Sequence, residues 1–178
     1  MKMPCSPNSA EIFLLPGEIF FAATHNRIHT VLGSCISISL WHPALRMGGM
    51  CHFMLPSRGA RSGNGLDGRY ADEAIQLLLC EIDKSQTRPA AYQVKIFGGG
   101  NMFHAFQEGK ILDVARDNIQ AARDLLNRNG FLIHAEDVGG NGHRRIIFDL
   151  CDGNVWVRHD RAALPPATRK RKKELTLP

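Results

Sequence analysis

Ile36-Ser37-Ile38-Ser39-Leu40-Trp41 alternates apolar and polar side chains, and Met47-Gly48-Gly49-Met50-Cys51-His52-Phe53-Met54-Leu55 follows it beyond Pro43-Ala44. A period of two marks a strand with one apolar face, and the break at the proline makes the two segments an antiparallel pair. With a two-residue turn at Pro43-Ala44, paired residues have numbers summing to 87, and Cys35 stands opposite His52. A five-residue loop centred on Ala44 would instead slip the pairing by one, set Cys51 opposite Ser37 and change the faces of the side chains.

In the first arrangement the opposed Cβ atoms lie about 4.5–5.5 Å apart, within reach for an imidazole to take a thiol's proton. A free cysteine titrates at about 8.5, and an adjacent imidazolium lowers that value and stores the reactive thiolate. Cys35 is therefore a candidate nucleophile and His52 its acid-base partner. Gly33 puts no side chain in the path of an approaching substrate. Backbone N–H groups of the Gly33-Ser34-Cys35 turn could face an oxyanion, so that an amide carbonyl attacked by the thiolate would lose its amine and leave a thioester for water to cleave.

Outward from this hairpin, Glu18 to Ala22 and Ile28 to Gly33 read as short strands around His25-Asn26-Arg27, preceded by a loose lead-in over residues 1–10. Ala71, Ala74, Ile75, Leu78, Leu79 and Ile82 recur at three- and four-residue steps and define one face of a helix from Ala71 to Lys84. Asp113 caps a second helix with Ala115, Ile119, Ala122 and Leu126 inward and Asn129-Gly130 as its stop. Gln93 to Phe97 is a buried strand running into Gly98-Gly99-Gly100, Phe131 to Ala135 is another, and Arg145 to Leu150 pairs with Asn154 to Arg158 across Asp152-Gly153. Helices set between groups of hairpins predict an α+β fold: mixed, mostly antiparallel sheet layers with two main helices packed on them.

The 178 residues suffice for one domain, expected over residues 1–161, with a basic, disordered tail over residues 162–178. The net charge of +5 resides in that tail: without Arg169 to Lys173, 17 basic residues balance 17 acidic ones. Such a tail is the main support for a non-catalytic adaptor or nucleic-acid-binding module. The neutral body has no interleaving of aromatic and basic residues, so no nucleic-acid partner is expected. Five cysteines at irregular spacing predict reduced thiols rather than a disulfide framework, with Cys5, Cys51, Cys80 and Cys151 in bland roles. No apolar run approaches membrane length, and a cytoplasmic location without membrane insertion is expected. The spacing of Cys35, Cys51 and His52 fits no metal motif, and the glycine runs fit no nucleotide loop, so neither metal nor cofactor is expected. The polar loop Ser57 to Asp67 is a candidate rim for the site, and Tyr70 and Asp72 either border the site or anchor the first helix.

TVLGSC at 30–35, GGMCHFMLP at 48–56, RYAD at 69–72, KIFGGGNMF at 95–103, RDN at 116–118 and EDVGGNGHRRIIF at 136–148 resemble, in order, the sequence blocks of the CheD chemoreceptor glutamine deamidases. The resemblance spans nearly all of residues 15–160. It implies an amidohydrolase that converts glutamine side chains of methyl-accepting chemotaxis receptors to glutamate with release of ammonia. It also implies a cysteine, histidine and threonine group, here Cys35, His52 and Thr30, with His29 at the neighbouring position that the threonine takes in other members. The cytoplasmic helices of chemoreceptors, and a CheC-type phosphatase, are the partners it suggests.

Overall fold

The computed structural model describes residues 9–23, 25–59, 64–101 and 113–160. In chain order the strands are β1 (Ala10–Phe13), β2 (Ile19–Ala23), β3 (Asn26–Leu32), β4 (Ile36–His42), β5 (Met47–Phe53), β6 (Gln93–Gly98), β7 (Ile133–Val138), β8 (His143–Asp149) and β9 (Val155–Asp160). Helix α1 (Ala71–Lys84) follows β5, and α2 (Val114–Arg128) follows β6. One sheet has the order β1-β3-β8-β9 and the other β2-β5-β4-β6-β7; among these strands β1 with β3 and β6 with β7 run parallel and the other pairs antiparallel. The architecture is α+β, as the pattern of elements predicts. The basic tail and Cys5 lie outside the described residues.

Ile36, Ile38 and Leu40 of β4, with Cys51, Phe53, Val94 and Ile96, turn toward α1 and α2 and meet Ala74, Ile75, Leu78, Ala122 and Leu126. The opposite face of β4 does not look at water. It packs on the second sheet through Trp41, Met50 and Phe97 against Ile28, Leu32, Ile146 and Phe148, so Ser37 and Ser39 are buried between the sheets. On that face Ser37 and Ser39 leave room for the larger Trp41, Met50 and Phe97, which interdigitate with the facing sheet.

Both helices form where their sequences direct. Asp113 caps α2, its carboxylate accepting from the Arg116 N–H at 3.1 Å, a contact worth about 1 kcal/mol. Gly130 then adopts a φ of 77°, which closes the helix without a Cβ penalty. The N-terminal lead-in is corrected at its end: Ala10 to Phe13 is a strand, aligned in parallel with Asn26 to His29. Cys151, beside the β8–β9 turn, is disulfide-bonded, so the expectation of reduced thiols fails at this half-buried position. Among the described residues no helix is long and apolar enough to cross a membrane.

Candidate active site

The β4–β5 hairpin differs from the two-residue turn in its register. His42 pairs with Met47 and Ser37 with His52, so paired numbers sum to 89 and the loop is Pro43-Ala44-Leu45-Arg46. Arg46 closes it at a φ of 48°, a left-handed conformation that a non-glycine residue adopts only rarely and that composition does not announce. The ladder ends at Ile36 opposite Phe53. Continued by one step, it would set Cys35 against Met54, not against His52. A shift of two in the sum preserves the faces, so Cys35 and His52 become diagonal neighbours, a relation that usually spans about 7–8 Å and lies within reach of long side chains. Cys35 packs against the cluster between the sheets, the side on which His52 meets Thr30.

His52 is held by its backbone and its ring. Its N–H donates to Glu18 O at 3.0 Å and its carbonyl accepts from Gly17 N at 2.7 Å. With both groups turned toward the β2 side, Ser37 and His52 form a non-hydrogen-bonded pair, the kind whose side chains approach most closely. Across the sheets, His52 Nδ1 lies 2.8 Å from Thr30 Oγ1, and Thr30 Oγ1 lies 3.0 Å from the carbonyl oxygen of Leu14. A hydroxyl has one proton, and a carbonyl can only accept it. Thr30 therefore donates to Leu14 and accepts from Nδ1–H, which leaves the lone pair on Nε2. That Nε2 is buried and has no protein hydrogen-bond partner. Burial pushes the imidazole down to about 4, against smaller opposing effects of the Leu14 backbone and Glu18.

Cys35 sits at the end of the β3–β4 connection, half-buried, with its thiol pushed up by burial. Burial thus favours the neutral form of both the thiol and the imidazole, where the sequence pattern leads to the expectation of a stored thiolate and imidazolium. Three successive carbonyls in this connection are anchored: Gly33 O by Gly100 N at 2.8 Å, Ser34 O by Asn118 Nδ2 at 3.1 Å, and Cys35 O by Gly99 N at 2.8 Å. In trans peptides the N–H points opposite to the carbonyl, so these anchors also fix the directions of the Ser34 and Cys35 N–H groups. Gly98 enables the close approach of β6: a Cβ there would stand 2.2 Å from Cys35 O, at a φ of 112°. The glycine run is a packing surface for the Cys35 loop.

Cys51 faces the helices, fully buried, its thiol pushed up to about 12. Tyr70 precedes α1 with the Arg58 guanidinium 5.3 Å over its ring, and Arg58 Nε donates to Glu73 at 2.8 Å. These contacts tie the described part of the Ser57 to Asp67 loop to the helix; residues 60–63 lie outside the described residues. A cavity of about 460 Å³ opens beside the imidazole, with Thr30 and His52 in its wall and Phe13, Leu15 and Val31 among its apolar lining.

One residue that sequence reasoning left without a role is Asn118. The RDN block contains it, but its partners are backbone carbonyls, which leave no side-chain signature in a sequence.

The profile of the family described as CheD chemotactic sensory transduction matches residues 54–159. The chain belongs to the CheD family. A relative from Pseudomonas syringae pv. syringae (strain B728a), named "Probable chemoreceptor glutamine deamidase CheD", is 49% identical over 168 residues, 94% of each chain. An alignment of that length takes in the whole segment from Thr30 to His52. A Pseudomonas savastanoi pv. phaseolicola protein of the same name is 51% identical over 151 residues, 84% of this chain and 85% of the other. "Probable chemoreceptor glutamine deamidase CheD 3" of Dechloromonas aromatica (strain RCB) is 44% identical over 153 residues, 86% of this chain and 89% of the other. The first of these alignments extends beyond the profile match to reach both sheets.

Proposed function

We propose that this protein hydrolyses the carboxamide of glutamine side chains in methyl-accepting chemoreceptors, leaving glutamate and releasing ammonia. Its support is membership of the CheD family together with one geometric observation, a buried imidazole whose Nδ1 proton is committed to Thr30 and whose Nε2 lone pair is free.

In this reading Nε2 of His52 takes the thiol proton as Cys35 Sγ forms a bond to the carboxamide carbon. Negative charge gathers on the amide oxygen, faced by the Ser34 and Cys35 N–H groups. The imidazolium returns its proton to the amide nitrogen, the C–N bond breaks, and ammonia leaves a thioester. Water then loses a proton to Nε2 and attacks the thioester; the C–S bond breaks, and the sulfur recovers its proton. Thr30 holds the tautomer throughout. Burial serves this cycle, because an imidazole that is neutral at pH 7 is available as a base.

The partner is a chemoreceptor, engaged through its cytoplasmic helices, and a CheC-type phosphatase is a second partner in the same reading. Co-expression of a chemoreceptor followed by mass spectrometry should show a gain of about one dalton per converted glutamine, with none for Cys35→Ala. Equal conversion by Cys35→Ala would overturn the reading. Receptor capture by Cys35→Ala without conversion separates binding from catalysis and excludes a purely adaptor role.

A further inference from the structure

Asn118 lies in the second turn of α2, has no exposed surface, and spends both amide protons on backbone carbonyls: Ser34 O at 3.1 Å and Met54 O at 2.8 Å. Ser34 immediately precedes the candidate nucleophile, and Met54 lies two residues beyond the candidate base. These two segments are the places where the β4–β5 ladder has stopped, since the last pair is Ile36 with Phe53. No further backbone rung joins them, and the Met54 N–H turns instead to Arg69 O at 2.9 Å. One side-chain amide from a helix supplies the missing link. Its orientation is determined by chemistry, because a flipped amide would set its oxygen against two carbonyl oxygens.

The amide makes this link while leaving its own oxygen unsatisfied: Asn118 Oδ1 is buried and has no hydrogen-bond partner. A residue present only to fill the α2 interface would do better as leucine, like Leu126 on the same helix, with no orphaned acceptor. We infer that Asn118 is a positioning residue, a clamp from α2 that sets the Cys35 loop relative to the His52 strand so that the thiol proton and Nε2 meet. The inference rests on the reading of Cys35 and His52 as nucleophile and base. It assigns to a helix across the sheet a role in placing both. A displacement of about 1 Å between reacting groups can lower a rate by about 100-fold, so a single lost bridge has a measurable effect.

The experiment combines Asn118→Leu and Asn118→Asp with two readouts. For ammonia release from a chemoreceptor cytoplasmic fragment, both variants should lose about 30-fold in kcat with KM within about 3-fold. Without substrate, iodoacetamide alkylation of Cys35 at pH 7 should be slowed several-fold by His52→Gln in the native background, where Nε2 takes the thiol proton as the sulfur attacks, and that dependence should vanish when Asn118→Leu is present. Loss of this coupling is not produced by a stability change alone. Should the variants fail to fold, side-chain amide exchange of Asn118 in the unmodified protein decides the matter: slow exchange is expected, and exchange at the rate of a solvated asparagine overturns the clamp. Folded variants with unchanged kcat also overturn it. If Cys35→Ala stayed active, the functional reading would fall, while the alkylation coupling would still test the clamp.

Discussion

Thr30 and His52 belong to different sheets, and their 2.8 Å hydrogen bond crosses the space between the layers. The packing of one sheet on the other therefore sets the protonation pattern of the candidate base. Leu14, which accepts the Thr30 proton, lies just beyond β1, and its own N–H donates to His29 O at 2.8 Å. The chain from Leu14 through Thr30 to His52 determines which ring nitrogen is bare. An imidazole in the other tautomer would present a proton to the thiol and could not accept one.

Thr30→Val keeps the volume and removes the hydroxyl, leaving the Nδ1 proton without an acceptor and both tautomers open. We expect a loss of about 100-fold in kcat for ammonia release, in the range of a disabled acid-base partner, with Thr30→Ser retaining most of the activity. Steady-state kinetics of the folded variants measure this. An unaffected Thr30→Val would dissociate the threonine from the chemistry.

The depressed imidazole has a consequence for stability. The unfolded chain protonates His52 near pH 6.5, the folded chain only near pH 4. Between those values the unfolded state binds more protons, so stability rises with pH across the window and is lost on acidification. The full effect is about 3 kcal/mol. Denaturant titrations from pH 7 to pH 4 should show that slope in the native protein, and His52→Gln should flatten it by the same amount.

The thiol gives a separate signal. Because burial raises the Cys35 thiol and favours a neutral His52 imidazole, the folded protein should hold little thiolate at pH 7. Absorbance at 240 nm and the pH dependence of Cys35 alkylation check this. Alkylation should climb above pH 8.5, whereas a plateau reached by pH 5 would indicate a stored ion pair.

What the sequence disclosed was what local chemistry dictates. The alternation in Ile36 to Trp41, the three- and four-residue steps of Ala71 to Ile82, the Asp113 cap and the Asp152-Gly153 turn each encode their element within a few residues. Facing survived too, since Cys51 and His52 must point opposite ways whatever the turn. Register did not survive, because it depended on Arg46 taking a left-handed φ that its side chain gives no reason to expect. The strand at Ala10 to Phe13 escaped notice because it is largely exposed and is held by a parallel partner sixteen positions along the chain. Asn118 escaped because its role is defined by two carbonyls from segments that meet only in the folded state.

Gly98→Ala tests the packing beneath Cys35. The added Cβ would fall 2.2 Å from Cys35 O at a φ of 112°, so either the β6 end or the Cys35 loop must move. A loss of stability of about 2–4 kcal/mol and a steep fall in kcat are expected. Gly130→Ala is the control, with a φ of 77° but open space around the new methyl. It should cost about 1 kcal/mol from backbone strain and leave kinetics unchanged. Equal effects from both substitutions would mean that strain, and not the contact with Cys35, decides the outcome.

Ser37 offers the converse test. Its Oγ is buried without a hydrogen-bond partner, directly across the narrow pair from His52, whose Nε2 is in the same condition. A hydroxyl in that position has an obvious way to satisfy itself, by donating to Nε2, and in doing so it would occupy the lone pair that the proposed mechanism assigns to the thiol proton. Ser37→Ala deletes an unsatisfied polar group and a competitor together. Stability should hold or rise by about 1 kcal/mol, and kcat/KM should be unchanged or modestly higher. A loss of about tenfold or more in the alanine variant would show instead that the Ser37 hydroxyl assists proton transfer, a role that a pH–rate profile of Ser37→Ala would then expose as a displaced acid limb.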